Sequence, residues 1–172
     1  MSMIVRILGV VLVLVGCGGF GFSMAAADLR KTNRIKKMIT AIEHISRELE
    51  YRNLPLPDLC QSAASVSGGI VGSIFSNIAG ELTAMLSPDV KGCVQNVLHN
   101  MPQIPNYLRS TLELLGNSMG KFDREGQLKG LASAVSELGS ELKNHAQGQE
   151  ARLRCYQTLG LCAGAAIAIL MI

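Results

Sequence analysis

A long apolar run without any charged residue stands at each end of this 172-residue chain. The first run covers residues 7–27, and the second follows Arg154 and continues to residue 172. About 20 apolar residues in a helix are enough to cross the hydrocarbon core of a bilayer, which is about 30 Å thick. The sequence therefore predicts transmembrane helices over residues 4–27 and 156–172, and a single domain of residues 28–155 between them.

A cluster of basic residues follows directly after the first run, formed by Arg30, Lys31, Arg34, Lys36 and Lys37. Because positively charged flanks stay in the cytoplasm, we expect residues 28–155 to be cytoplasmic and both termini to lie outside. The cluster is interpreted as a topology determinant that contacts lipid headgroups, or as a docking patch for a protein partner. Nucleic-acid binding is disfavoured because neither aromatic residues nor a recognition motif accompany the charge.

An exported protein is the alternative that the first apolar run leaves open. Residues 23–27 resemble the small-residue site at which a secretory signal is cleaved, and residues 14–17 resemble the lipobox of bacterial lipoproteins. The chain would then be an exported lipoprotein or tethered adaptor anchored through Cys17. Export would carry the basic cluster across the membrane, which its charge opposes. A membrane-bound coiled-coil oligomer without a motor partner is a further hypothesis.

The connecting domain shows the spacing of amphipathic helices and no alternation typical of strands. In its first helix, residues 30–52, apolar residues recur every three or four positions from Ile35 to Leu49. Prolines and glycines mark the ends of successive helices, and Ser87 is predicted to cap a helix that begins at Pro88. The predicted fold class is therefore all-α, a bundle of about six helices whose first and last members continue into the spans.

The last helix of the bundle carries apolar residues at alternating spacings of three and four, namely Leu128, Leu131, Val135, Leu138 and Leu142. The pattern stops after Leu142, so we expect a packed segment up to this residue. Residues 143–154 are expected to form a solvated stalk that leads to the second span.

Residues 115–127 predict a tight corner between the last two helices. Gly120 can end the first of them in a left-handed conformation, and Asp123 can cap the next by accepting hydrogen bonds from its first amides. We assign Gly116, Gly120, Asp123, Arg124 and Gln127 to this corner as a structural motif, in preference to a partner-binding one.

The second predicted span has one face of small residues, Gly160, Gly164 and Ala168, at spacings of four. Such a face allows two membrane helices to approach closely, which is how spans associate when no hydrophobic force drives them together. We therefore expect this face to pack against another helix, with Gly21 and Ala25 of the first span as a plausible mate.

Motifs that would indicate catalysis are absent from the sequence. There is no phosphate-binding glycine loop and no zinc-protease signature, and the three histidines stand apart from one another. The five cysteines show no CxxC spacing, and we interpret them as reduced thiols. The sequence therefore predicts a non-enzymatic protein without catalytic residues, metal or cofactor.

Four features, in this order, resemble the stage III sporulation protein AB family of endospore-forming bacteria. They are an N-terminal span; the stretch from Ser46 to Tyr51 before Leu54-Pro55-Leu56; the corner Leu115-Gly116-x-x-Met119-Gly120-x-x-Asp123-Arg124-x-x-Gln127; and Leu159-Gly160-Leu161 at the terminal span. The resemblance covers nearly the whole chain, and the corner is its most specific part. Arg52 stands where the family tends to have glycine.

The resemblance implies a membrane component of the channel complex between mother cell and forespore. Its helical domain is similar to the cytoplasmic domain of the type II secretion F protein. Membrane lipid, the other proteins of the complex and its secretion-type ATPase are then the expected partners. A homo-oligomer is an open option, and neither nucleic acid nor a small-molecule substrate is expected. The implied location is the mother-cell membrane around the forespore, with a multi-pass topology.

Overall fold

The computed structural model describes residues 3–52, 54–84, 89–120 and 123–146, with side chains from residue 27 onward. All regular structure in these ranges is helical, which confirms the predicted all-α class and the expected number of helices. The helices are α1 (Met3–Tyr51), α2 (Leu56–Ser67), α3 (Gly69–Ala84), α4 (Val90–Asn100), α5 (Asn106–Ser118) and α6 (residues 124–146).

The chain divides into two compact units, and α1 contributes to both. Among the described residues, one unit contains residues 3–32 and 143–146, and the other is Asn33–Leu142. In the first unit, His145 Nε2 lies 3.4 Å from Asp28 Oδ1, and the His145 side chain is only 13% exposed. Of the predicted solvated stalk, Lys143, Asn144 and Ala146 are exposed as expected, whereas the His145 side chain is largely buried. Residues 147–154 of the predicted stalk lie outside the described residues.

No helix among the residues described with their side chains is long and apolar enough to cross a membrane. The first predicted span, residues 4–27, falls on the backbone of α1, where side chains are described only from residue 27. The second predicted span, residues 156–172, and its small-residue face of Gly160, Gly164 and Ala168 lie outside the described residues. Both spans remain predictions.

The core of the Asn33–Leu142 unit is aliphatic and is organised around α1. The side chains of Ile35, Met38, Ile42 and Ile45 are 0% exposed, so the apolar stripe predicted for this helix is confirmed. Full burial of each such side chain stabilises the fold by about 1.5–3 kcal/mol before the cost of ordering it is subtracted. The stripe therefore fixes which face of α1 the other helices cover.

Helices α2 and α3 form a tight hairpin beside α1. His44 on α1 and Ser62 on α2 are joined by a side-chain hydrogen bond of 2.7 Å between Nε2 and Oγ. A Cβ added at Gly72 of α3 would lie 2.8 Å from the carbonyl oxygen of Ala64 on α2. Because real Cβ atoms almost never approach so closely, glycine at this position is what lets the two helices touch.

The start of α4 differs from the prediction made for Ser87. Asp89 is the N-cap, in an extended conformation (φ −142°, ψ 161°), and its Oδ1 accepts a 2.8 Å hydrogen bond from the amide of Gly92. The prediction that Ser87 caps this helix and that Pro88 is its first residue was therefore wrong. Both residue types favour helix starts, and the carboxylate three residues before Gly92 is the group that reaches its amide.

Helix α6 closes the bundle along the face predicted for it. Leu131 and Leu138 are buried, and Leu128, Val135 and Leu142 pack against the core. The pattern of three and four in the sequence is thereby confirmed as the packed face of this helix.

Candidate functional site

The corner between α5 and α6 is built on glycines that permit close packing. Gly120 has φ +110°, a conformation that side chains rarely adopt, and a Cβ there would lie 2.7 Å from Val90 Cγ2. A Cβ at Gly116 would lie 3.2 Å from Val94 Cβ. Both glycines thus bring the end of α5 against α4, and only Gly120 also requires the positive φ.

A third glycine, Gly130, allows α6 to approach the end of α5. A Cβ at this position would lie 2.4 Å from the Cβ of Ser118. Gly130 was not assigned a role from the sequence. The signal that could have found it is a glycine inside a strongly periodic helix, directly before the buried Leu131, because such a glycine often marks a packing requirement.

Asp123 caps α6 in the way the sequence predicts. Its Oδ1 accepts a 3.1 Å hydrogen bond from the amide of Gly126, and its carbonyl oxygen accepts one of 2.9 Å from the amide of Gln127. The side chain therefore satisfies one of the amides that have no partner inside the helix. The corner has a defined start for α6 as well as a defined end for α5.

Arg124 connects this corner to the carboxyl end of α1. Its Nη2 donates a hydrogen bond to the carbonyl oxygen of Glu50. That carbonyl belongs to the last turn of α1, where carbonyl groups have no amide partner within the helix. The contact joins the stretch from Ser46 to Tyr51 to the glycine-rich corner, and nothing in the sequence predicts that these two stretches meet.

The end of α1 presents an aromatic side chain to solvent at this point. Tyr51, the last residue of α1, is 80% exposed, whereas the apolar face of this helix is buried. Arg52 holds the helix end, because its amide donates to the carbonyl of Glu48 (2.9 Å) and its Nη1 lies 3.5 Å from Glu48 Oε2. We call Tyr51, Arg52, Asp123 and Arg124 the corner face.

The corner face has the composition of a protein-binding surface. Tyrosine and arginine are enriched among the residues that contribute most to protein–protein binding, since they offer a large contact area and several hydrogen-bond donors. In the corner face these side chains project from a backbone that is fixed by the Asp123 cap, by Gly120 and by the hydrogen bond from Arg124 to Glu50. The arrangement can bind a partner with little further ordering, which lowers the entropic cost of association.

The residues of the predicted basic cluster belong to both units of the chain. Arg34 and Lys37 lie on the same side of α1 and are half-buried, while Lys36 is exposed on another side. The ammonium group of Lys37 lies beside the turn between α2 and α3, 3.6 Å from where a Cβ on Gly69 would stand. In the other unit, Arg30 is exposed and Lys31 is half-buried, and each has an interaction partner.

Groups that could support catalysis are sparse in the described part of the chain. It contains no cluster of three or more His, Cys, Asp or Glu side chains that could hold a metal ion. Burial raises the pKa of the Cys60 thiol to about 12, so this thiol is protonated and weakly nucleophilic at neutral pH. The hydrogen-bonded His44 and Ser62 pair joins two helices, and neither residue lines the cleft of about 520 Å³ near Asp58.

Comparison with known proteins gives one consistent family. Residues 6–172 match the family described as stage III sporulation protein AB. The stage III sporulation protein AB of Bacillus subtilis (strain 168) is 24% identical over 169 residues, which cover 96% of this chain and 98% of that protein. A solved structure of a stage III sporulation protein AB matches with a TM-score of 0.61 at 21% identity, covering 69% of this chain and 94% of that one. The solved structure shows that the fold is shared.

Proposed function

The chain belongs to the stage III sporulation protein AB family, as the match over residues 6–172 shows, and on this premise we propose that it is a non-enzymatic platform in the sporulation channel complex. The complex would join mother cell and forespore, and this chain would hold a cytoplasmic partner at a fixed position next to the membrane. A relation of its helical domain to the type II secretion F protein is part of this proposal and derives from the sequence resemblance alone.

Two membrane spans are part of the proposal. The charge-free runs over residues 4–27 and 156–172 support them, and the basic residues after the first run favour a cytoplasmic domain. The small face of Gly160, Gly164 and Ala168 would then pack against another membrane helix, from this chain or a second subunit. The protein would lie in the mother-cell membrane around the forespore.

The observation that carries the platform role is the hydrogen bond from Arg124 to the Glu50 carbonyl. It ties the corner to the end of α1, so Tyr51 and Arg52 are presented from a fixed backbone. We propose that the corner face is the surface that docks the secretion-type ATPase of the complex. A rigid surface of this kind suits a platform, because force applied by a motor would be transmitted without unfolding the attachment point.

Topology is the first test of this function. When protease is added to intact protoplasts that express the chain, residues 28–155 should be protected and should be degraded only after the membrane is permeabilised. Degradation in intact protoplasts would contradict the cytoplasmic placement and with it the motor partnership. Palmitate labelling that requires Cys17 would instead support the exported lipoprotein.

Co-purification is the second test. The tagged chain, extracted in detergent from sporulating cells, should recover the ATPase of the complex, and Tyr51→Ala should reduce the recovered amount by about tenfold or more, as for a central interface residue. Glu137→Ala is the matched control, since Glu137 is also exposed and lies on α6 about 20 Å along the helix from Arg124. Failure of the wild-type chain to recover the ATPase would overturn the platform role, whereas equal recovery with Tyr51→Ala would overturn only the corner face.

A further inference from the structure

The turn between α2 and α3 has a different surface from the corner face. Val66, in the last turn of α2, borders it; its side chain is 50% exposed and is one of the few large apolar side chains in the described chain that face solvent. Gly68 and Gly69 follow it, both with positive φ (59° and 60°), and Ser65 and Gly69 are exposed. The turn therefore has one exposed apolar side chain at its edge.

One cation of α1 lies against this turn, and a second lies near it along the helix. The Lys37 ammonium lies against it, 4.0 Å from where a Cβ on Gly68 would stand and closer still to the corresponding position at Gly69. Arg34 is one helical turn away on the same side of α1. No carboxylate of the described residues forms an ion pair with Arg34 or Lys37. Their charge is thus available to an anion outside the bundle.

The chemistry of this surface fits an anionic lipid bilayer better than a protein. Each cation near an anionic membrane surface is attracted to it, and long basic side chains can keep their charge at the headgroups while their stems cover apolar groups. The described surface shows no aromatic anchor beside Val66, whereas the corner face has Tyr51 and two arginines. A turn with a single exposed apolar residue can enter the headgroup layer without opening a deep cavity there.

We propose that the α2–α3 turn is a membrane-contact site, in which Val66 enters the headgroup region of an anionic bilayer while Arg34 and Lys37 contact lipid phosphates. This inference rests on the proposed function in one respect, the presence of the chain at a membrane. The α2–α3 turn would attach the protein to the membrane in addition to the two predicted spans. Such a contact would limit tilting of the bundle relative to the bilayer.

A single tryptophan provides the test, because the chain contains none. Val66→Trp in the full chain should show blue-shifted emission and quenching by lipids brominated near the glycerol, in vesicles of phosphatidylcholine with phosphatidylglycerol. Tyr51→Trp is the matched control at the exposed corner and should be neither shifted nor quenched. Ser65→Trp is a second probe of the same turn, in case Val66→Trp disturbs folding as judged by circular dichroism.

The cations are tested in the Val66→Trp background. Replacing Arg34 and Lys37 together with glutamine should reduce the bromolipid quenching at least twofold in phosphatidylglycerol vesicles. Unchanged quenching would overturn their role. A blue shift without bromolipid quenching would indicate that the turn contacts protein, and it too would overturn the proposal.

Vesicle flotation separates this inference from the proposed function. If the chain floats with the vesicles but neither turn tryptophan is quenched, the membrane-contact site is wrong and the membrane anchoring stands. If the chain does not float, the anchoring fails, and the contact site fails with it.

Discussion

The corner face and the α2–α3 turn lie at the two ends of the α1 segment that organises the Asn33–Leu142 unit, and they are built differently. Lys37, beside the turn, is 14 residues from Tyr51, a rise of about 21 Å along the helix. At the corner, added Cβ atoms would lie 2.7 Å from Val90 and 2.4 Å from Ser118. At the turn, the closest atom to such a Cβ is the mobile Nζ of Lys37, at 3.6 Å.

If both proposals hold, one bundle serves two kinds of contact. A protein partner is bound most tightly by large side chains on a fixed backbone, which the corner provides. A bilayer surface is fluid and has no fixed pattern of partners, so long cations and one exposed apolar residue would be sufficient at the turn. The difference between the corner and the turn can be tested by substitutions that change the packing at each of them.

The largest predicted effect comes from replacing one positive-φ glycine with alanine, either at the corner or at the α2–α3 turn. Gly120→Ala combines backbone strain with overpacking against Val90 and should lower the free energy of unfolding by about 2–4 kcal/mol. Gly69→Ala introduces only backbone strain, because the Lys37 side chain can move away. It should lower the free energy of unfolding by about 1 kcal/mol. Urea unfolding of the purified chain measures both, and equal losses would contradict the distinction between the two ends.

Two glycines within α6 separate the effect of packing between helices on stability from the effect of helix propensity. Gly130→Ala should lower the free energy of unfolding by about 1–3 kcal/mol, since its Cβ would overlap Ser118. Among the described residues, no atom outside the neighbouring backbone of α6 lies within 4 Å of a Cβ added at Gly139. Gly139→Ala should therefore raise the stability by about 0.5–1 kcal/mol through helix propensity. The melting temperatures should therefore move in opposite directions, and a shared direction would show that α6 does not pack closely on α5.

Arg124→Ala tests the bond that ties the corner to α1. Loss of the hydrogen bond to the Glu50 carbonyl should cost about 1–2 kcal/mol, because a charged donor is removed from a carbonyl without another helical partner. Lys129→Ala is the control: its ion pair with Glu125 is solvent-exposed and should contribute less than about 0.5 kcal/mol. If both variants unfold at the same urea concentration, Arg124 does not hold the corner to α1.

The smallest effect is expected for the cap of α6. Asp123→Ala should cost about 1 kcal/mol, and Asp123→Asn should restore most of it, because an amide oxygen also caps well. Asp89→Ala removes the equivalent cap of α4 and should cost a similar amount. If Asp89→Ala lowers the free energy of unfolding and Asp123→Ala does not, the tertiary contacts of the corner alone fix the start of α6.

Much of the corner could be predicted from the sequence because its parts are local. A left-handed glycine after one helix and an aspartate before the next act within a few residues, so their types and spacing carry the information. The cap of α4 shows the limit of this approach. Ser87 and Asp89 are both good candidates, and the backbone conformation at Asp89 selects between them.

Local sequence patterns are enough to predict that this chain is all-helical, which face of α1 is buried and where a tight corner follows α5. They are sufficient because helix periodicity, capping and left-handed glycines are properties of neighbouring residues. The tertiary structure is needed to find that Arg124 meets Glu50, that Gly130 touches Ser118 and that Lys37 lies beside the α2–α3 turn. These contacts join residues far apart in the chain, and they depend on how all the helices share one core.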